Sequence, residues 1–183
     1  MTKKQRYIDR FWLVVKYFLS AAFIAFILRG FFLIPVPVEG NSMETTLSQG
    51  NMIAMEKITE IKRFDVIVFQ LADGTIYIKR VIGLPGEEIS YQKDQLTING
   101  KIIKEPFLRK NIQLDHEDAS YTTDFTLQEL IGEDRLADDS YFVMGDNRRV
   151  SKDSRSFGTV SKDEILGKAR FVYYPFSDMK WIR

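Results

Sequence analysis

The chain has no cysteine and a single histidine among its 183 residues. Without a thiol it cannot be a cysteine protease, a zinc finger, an iron–sulfur protein or a disulfide scaffold. One imidazole cannot supply the clusters that zinc hydrolases use, and a Ser-His-Asp triad would have to run through His116. An enzyme of this composition must draw its acid–base chemistry from lysine, carboxylate or tyrosine. The lack of cysteine also fits work outside the cytosol without disulfides. Repeats and low-complexity tracts are absent too, and 45% hydrophobic with 28% charged residues describes one folded domain with room for an insertion.

Long uncharged runs are scarce, and where they occur is informative. Residues 11–34 are dominated by Phe, Leu, Ile, Val and Ala, and their longest uncharged run, 17–28, is bracketed by Lys16 and Arg29. A membrane span needs about 20 mainly apolar residues, and residues 11–28 approach that length if Lys16 snorkels to an interface. No small-x-small cleavage site follows; Pro35, Val36, Pro37 and Val38 do, which argues for an uncleaved anchor over a removed leader. The net charge of +1 divides unevenly: residues 1–29 hold six basic side chains against Asp9, while the remainder holds 20 basic and 24 acidic. Positive charge before the apolar run places residues 1–10 in the cytoplasm and residues 35–183 outside.

The rest of the chain reads as mainly antiparallel β structure. Short β-branched or aromatic runs at 52–55, 64–69, 75–82, 96–103, 141–144 and 169–174 are separated by turn pairs. Asn99-Gly100, between Leu96-Thr97-Ile98 and Lys101-Ile102-Ile103, is a two-residue hairpin signal. Ser161-Lys162-Asp163-Glu164 has the capping-box pattern of a helix start, cut short by Gly167. Residues 115–139 hold nine acidic side chains and one basic one and read as a solvated insertion, part of a larger one over about 90–140.

Three stretches could carry chemistry. The first, Glu39-Gly40-Asn41-Ser42-Met43-Glu44-Thr45-Thr46-Leu47, follows the apolar segment. In the second, Tyr77-Ile78-Lys79-Arg80-Val81-Ile82-Gly83-Leu84-Pro85-Gly86-Glu87, strand alternation sends Lys79 and Arg80 to opposite faces, so one of them faces the covered side. A lysine among Tyr77, Val81 and Met144 would lose hydration, which favours its neutral amine. The third, Gly145-Asp146-Asn147-Arg148-Arg149-Val150-Ser151-Lys152-Asp153-Ser154-Arg155, is a charge-dense turn after a strand. Ser90-Tyr91-Gln92-Lys93 imitates the Ser-x-x-Lys of penicillin-recognising enzymes. It leads into a hairpin, where that motif needs a helix, and its partner motifs are missing.

These boxes, with 64–69 and in this order, resemble type I signal peptidase, specifically the short Gram-positive form. The resemblance implies an N-terminal transmembrane helix at 11–34 and then an antiparallel β-sheet catalytic domain at 35–183 with a small β/loop insertion. It implies a membrane-bound serine endopeptidase that removes signal peptides from secreted preproteins, cleaving after small-x-small sequences on the extracellular face. By motif position Ser42 is the nucleophile and Lys79 its general base. Ser151 orients Lys79, and Asp153, Arg155, Asp146 and Arg148 support the site. Tyr77 walls the lysine, and Met43 and Gly40 flank the nucleophile, whose backbone N–H is one oxyanion donor. Gly40 stands where some members add a serine hydroxyl, so the second donor is unassigned, and Thr45 stands where proline is usual. Burial can lower a lysine by the roughly 3 pH units that a base needs. Metals and cofactors are not expected. The partners are preproteins and the lipid bilayer, with monomer the expectation for an oligomeric state the sequence leaves open. The −4 balance beyond residue 29 disfavours nucleic acid. A catalytically silent, membrane-tethered adaptor is the alternative. A self-cleaving repressor protease would carry a DNA-binding domain where this chain carries its apolar segment.

Overall fold

The structure is a computed structural model that describes residues 3–31, 34–57, 59–116 and 119–182. It divides into two units, Met1–Ile34 and Pro35–Arg183. The first is one helix, α1 (Lys3–Phe31). Phe11, Trp12, Leu13, Val14, Phe18, Leu19, Phe23 and Ile24 of this helix are all exposed. Among the described residues no helix is long and apolar enough to cross a membrane, which corrects the expected span at 11–34. The apolar stretch of α1 is interrupted by Lys16 and Arg29 and preceded by Asp9 and Arg10, which lowers its mean hydropathy. Phe32 and Leu33, included in the expected span, lie outside the described residues.

The second unit is mainly antiparallel sheet, as its short β-branched runs predict. The chain lays down β1 (Ile34–Pro37), β2 (Met52–Glu56), β3 (Val66–Gln70) and β4 (Ile76–Gly83). A second sheet follows, made of β5 (Ile89–Gln92), β6 (Gln95–Ile98), β7 (Lys101–Ile103) and β8 (Phe125–Thr126). The chain then returns to the first sheet with β9 (Ser140–Met144), β10 (Val160–Ser161), β11 (Ile165–Tyr174) and β12 (Lys180–Trp181). The larger sheet runs β1-β2-β11-β3-β4-β9-β10, with β12 beside β11, and the smaller runs β7-β6-β5-β8. Short helices α2 (Arg109–Leu114) and α3 (Leu127–Ile131) lie between β7 and β9, and α4 (Ser154–Phe157) lies between β9 and β10. The stretch from β5 to α3 is therefore folded structure, more ordered than a solvated loop.

Local signals explain several elements. Asn99 and Gly100 both have positive φ, 48° and 76°, the conformation of a two-residue hairpin turn, and Ile98 pairs with Lys101 across it. Ser161 and Glu164 do form a capping box, but it opens only a 3-10 turn at Lys162–Glu164. Ile165 and Leu166 begin β11 instead, because pairing with β3 and β2 uses their β-branched and apolar neighbours better than a helix broken at Gly167 could.

Both faces of β4 are covered, which positions the site. On one face Val81 packs with Ile67, Phe69, Val143 and Val160, and Tyr77 closes that cluster. On the other, Ile82 and Met144 join Ile89, Tyr91, Leu96, Phe125 and Phe142, so the smaller sheet packs there.

Candidate active site

Ser42 begins a tight turn after β1. Leu47 N–H and Thr46 N–H both donate to Met43 C=O at 2.8 Å, and Met43 itself is buried. The turn leaves Ser42 partly exposed in a groove of about 540 Å³ lined by Val36, Val38, Gly40, Ile76, Tyr77 and Lys79, among others. The Ser42 N–H meets no acceptor among the described residues.

Lys79 comes from the middle of β4 and is 3% exposed. Its Nζ lies 2.7 Å from Ser42 Oγ and donates to Ile78 C=O at 3.2 Å. It sits 5.3 Å from the centroid of the Tyr77 ring. No carboxylate forms an ion pair with it among the described residues. Burial therefore dominates and lowers the Lys79 pKa from 10.5 to about 8, with the Asp153 and Asp146 charges pulling the other way. The expected apolar wall is corrected in one member. Met144 packs in the cluster on the Arg80 face, because it pairs with Arg80 and alternation turns it away from Lys79.

The charged loop after β9 supports this arrangement from below. Asp146 is fully buried and takes Arg80 Nε at 2.8 Å and Nη2 at 2.6 Å, while Thr46 donates its hydroxyl to Asp146 at 2.5 Å. The Arg80 guanidinium also donates to Phe64 C=O and stacks 4.1 Å from the Phe107 centroid. Asp153 accepts two bonds from the Arg155 guanidinium, each at 2.8 Å, one from Arg155 N–H at 3.2 Å and one from Gly145 N–H at 3.0 Å. Burial opposes its charge, but the Arg155 bonds and charge outweigh that and hold the Asp153 carboxyl below its ordinary range. Arg148, 3% exposed, donates to Gly145 C=O, the Tyr91 hydroxyl, Thr122 and Glu105. Its ionised form is reinforced by Glu105 and Tyr91 against the opposing effect of burial.

Gly145 is required by close approach. A Cβ there would lie 2.2 Å from Ser151 Oγ and 2.4 Å from Ser42 O. The Ser151 hydroxyl lies against this glycine. Its Oγ is buried and lies close enough to the Asp153 carboxylate to help hold that group's charge, while the Lys79 amine meets Ser42 and Ile78. Gly40, at φ 75°, is exposed beside the groove and presents no side-chain donor.

Four contributors escaped the sequence reading: Thr46, Asn111, Tyr121 and Glu105. The last three come from the stretch read as an insertion, and no local motif marks them. The buried Arg148 was the available signal, since a buried guanidinium needs a carboxylate, and the carboxylate is Glu105 at 2.5 Å. His116 is exposed and follows α2 and Asp115 in the chain.

With this geometry in place, comparison with known proteins is informative. Residues 11–174 match the family model described as signal peptidase, peptidase S26. The chain is 43% identical over 180 residues to signal peptidase I of Bacillus caldolyticus, covering 96% of each chain. It is 38% identical over 167 residues to signal peptidase IB of Staphylococcus aureus strain MRSA252, covering 86% of each. A crystal structure of a signal peptidase I from Enterococcus faecalis V583 superposes with a TM-score of 0.58 at 39% identity, covering 61% of this chain and 98% of that one. Sequence and fold agree: the chain belongs to the peptidase S26 family of signal peptidases, which are serine peptidases.

Proposed function

We propose that the chain cleaves signal peptides from preproteins by a Ser42–Lys79 dyad. The observation that carries this reading is the 2.7 Å approach of Lys79 Nζ to Ser42 Oγ at the edge of an extended groove. The neutral Lys79 amine takes the Ser42 proton as Oγ attacks the scissile carbonyl carbon. The Ser42 N–H donates to the oxygen that becomes negative. Lys79 then returns the proton to the leaving amine as the peptide bond breaks, and water, deprotonated by the same amine, hydrolyses the acyl-enzyme. The groove between the β1 and β4 segments offers unpaired backbone to an extended substrate, and its aliphatic lining suits small side chains in a small-x-small sequence.

The same proposal attaches the chain to a membrane through α1, whose aromatic and aliphatic side chains from Phe11 to Ile24 are largely exposed. Substrate and enzyme would then share one surface, raising their effective concentration. The catalytic unit is placed on the outer face. External protease should remove it from intact cells, and protection would overturn that placement.

The deciding experiment is cleavage of a signal-peptide-bearing preprotein by the wild type, Ser42→Ala and Lys79→Ala. Both variants should remain folded and lose activity, and full activity in Lys79→Ala would sink the dyad. The silent-adaptor alternative requires that wild type, too, fail to cleave.

A further inference from the structure

The turn that carries Ser42 is held from two sides. On one side the loop after β9 grips it: Asn147 N–H donates to Ser42 C=O at 3.0 Å and Thr46 bonds Asp146. On the other side stands a residue distant in sequence, Asn111 of α2. Its side chain is 7% exposed, and both ends of the amide are occupied. Asn111 Oδ1 accepts Thr45 N–H at 3.2 Å and the Thr45 hydroxyl at 2.8 Å. Asn111 Nδ2 donates to Glu44 C=O and to Asp146 C=O, the latter at 2.9 Å, and also meets the Tyr121 hydroxyl at 3.2 Å. Tyr121 in turn donates to Asp146 C=O at 3.1 Å and accepts Arg148 N–H at 3.2 Å.

The choice of partners is informative. A residue that merely seated α2 on the sheet would be satisfied by any nearby carbonyl. This amide instead joins residues 44 and 45, two and three positions after the nucleophile, to residue 146, whose carboxylate anchors Arg80 and Thr46. A carboxamide is the only side chain that can accept from one residue and donate to two others in a single plane. Buried together, these bonds reinforce one another.

We propose that Asn111 is a positioning residue for catalysis, clamping the turn after Ser42 to the Asp146 loop so that Ser42 Oγ stays within reach of Lys79 Nζ and its N–H faces the groove. This rests on the serine reading above. It differs from a folding role in what it should move, since a nucleophile misplaced by about 1 Å costs roughly 100-fold in turnover while groove binding is untouched.

The test uses the full chain in detergent micelles with a signal-peptide-bearing preprotein. Asn111→Ala should lower kcat by roughly 10–100-fold with KM within about threefold. Asn111→Asp, which retains the acceptor for Thr45 but loses both donors, should fall in the same range. Thr45→Val, which keeps the side-chain shape and loses the hydroxyl bond, should lower kcat less, and Thr45→Ser should recover most of that loss. Combining Thr45→Val with Asn111→Ala should cost no more than Asn111→Ala alone, because the two act through one contact. The alkaline-rising limb should keep its midpoint near pH 8 in every variant, whereas a collapsed site would rehydrate Lys79 and move it toward 10.5. Wild-type kcat in Asn111→Ala, a loss confined to KM, additive losses in the double variant, or a shifted midpoint would each overturn the clamp. Ser42→Ala in the same assay separates the two readings. Its inactivity beside an unaffected Asn111→Ala would defeat the clamp alone, while residual activity would defeat the serine reading itself.

Discussion

Lys79 and Arg80 are adjacent in β4, carry the same formal charge and are both almost wholly buried, yet the fold treats them in opposite ways. Arg80 is met by both oxygens of Asp146, by Phe64 C=O and by the Phe107 ring. Lys79 meets a hydroxyl, a carbonyl and the Tyr77 ring, with Asp153 and Asp146 acting on it only at a distance. Two-residue periodicity makes the contrast possible, because one register places neighbours in separate environments. A neutralised cation fastens the loop after β9 to the sheet. A cation denied a counter-ion gives up its proton more readily, and that loop supplies the difference by spending Asp146 on Arg80 and Asp153 on Arg155.

The contrast can be broken most severely on the Arg80 side. Asp146→Ala would leave a buried guanidinium without its carboxylate, and losing one partner of a buried pair costs about 3–5 kcal/mol. Chemical denaturation should show that loss, and cleavage should fail with it because Thr46 loses its anchor. A loss below about 1 kcal/mol would mean that solvent reaches Arg80.

On the Lys79 side the sign reverses. Holding a lysine at about 8 instead of 10.5 penalises the protonated folded state by up to about 3 kcal/mol. The folded pKa is depressed, so the penalty is complete below about pH 8 and fades as pH rises toward 10.5. Lys79→Met should therefore abolish cleavage yet raise stability at pH 6–7, with the gain shrinking above pH 8. A gain independent of pH would show that the amine is not desolvated.

Kinetics report the same group in smaller steps. With Lys79 as base, kcat/KM should rise tenfold per pH unit, about 1.4 kcal/mol each, and level off near pH 8. A limb still rising at pH 10 would remove Lys79 from the role.

Much of this was legible in the chain. Alternation along β4 separates Lys79 from Arg80, Asn99-Gly100 marks its hairpin, and the absence of Cys with a single His narrows the base to lysine, carboxylate or tyrosine. What escaped reading depends on long-range packing. Asn111 and Glu105 occupy stretches without a motif, and only closure of the smaller sheet over β4 brings them to Asp146 and Arg148. Met144 lies on the Arg80 face, because its pairing with Arg80, not its proximity in sequence to the charged loop, decides where it points.

A second buried lysine supplies the finest test. Lys168 in β11 is 4% exposed, as hidden as Lys79, but its Nζ donates to Asp65 at 3.0 Å and to Glu60 C=O at 2.8 Å. If burial alone set a lysine's behaviour, methionine should act alike at both positions. If the counter-ion decides, Lys168→Met should destabilise where Lys79→Met stabilises. The size is limited because the Asp65 side chain is 21% exposed and can recover water when its partner goes, so a loss of about 1–2 kcal/mol is expected. The two substitutions measured at pH 7 by thermal melting should move Tm in opposite directions. Shifts of the same sign would mean that the two sites differ in geometry but not in how the fold handles charge.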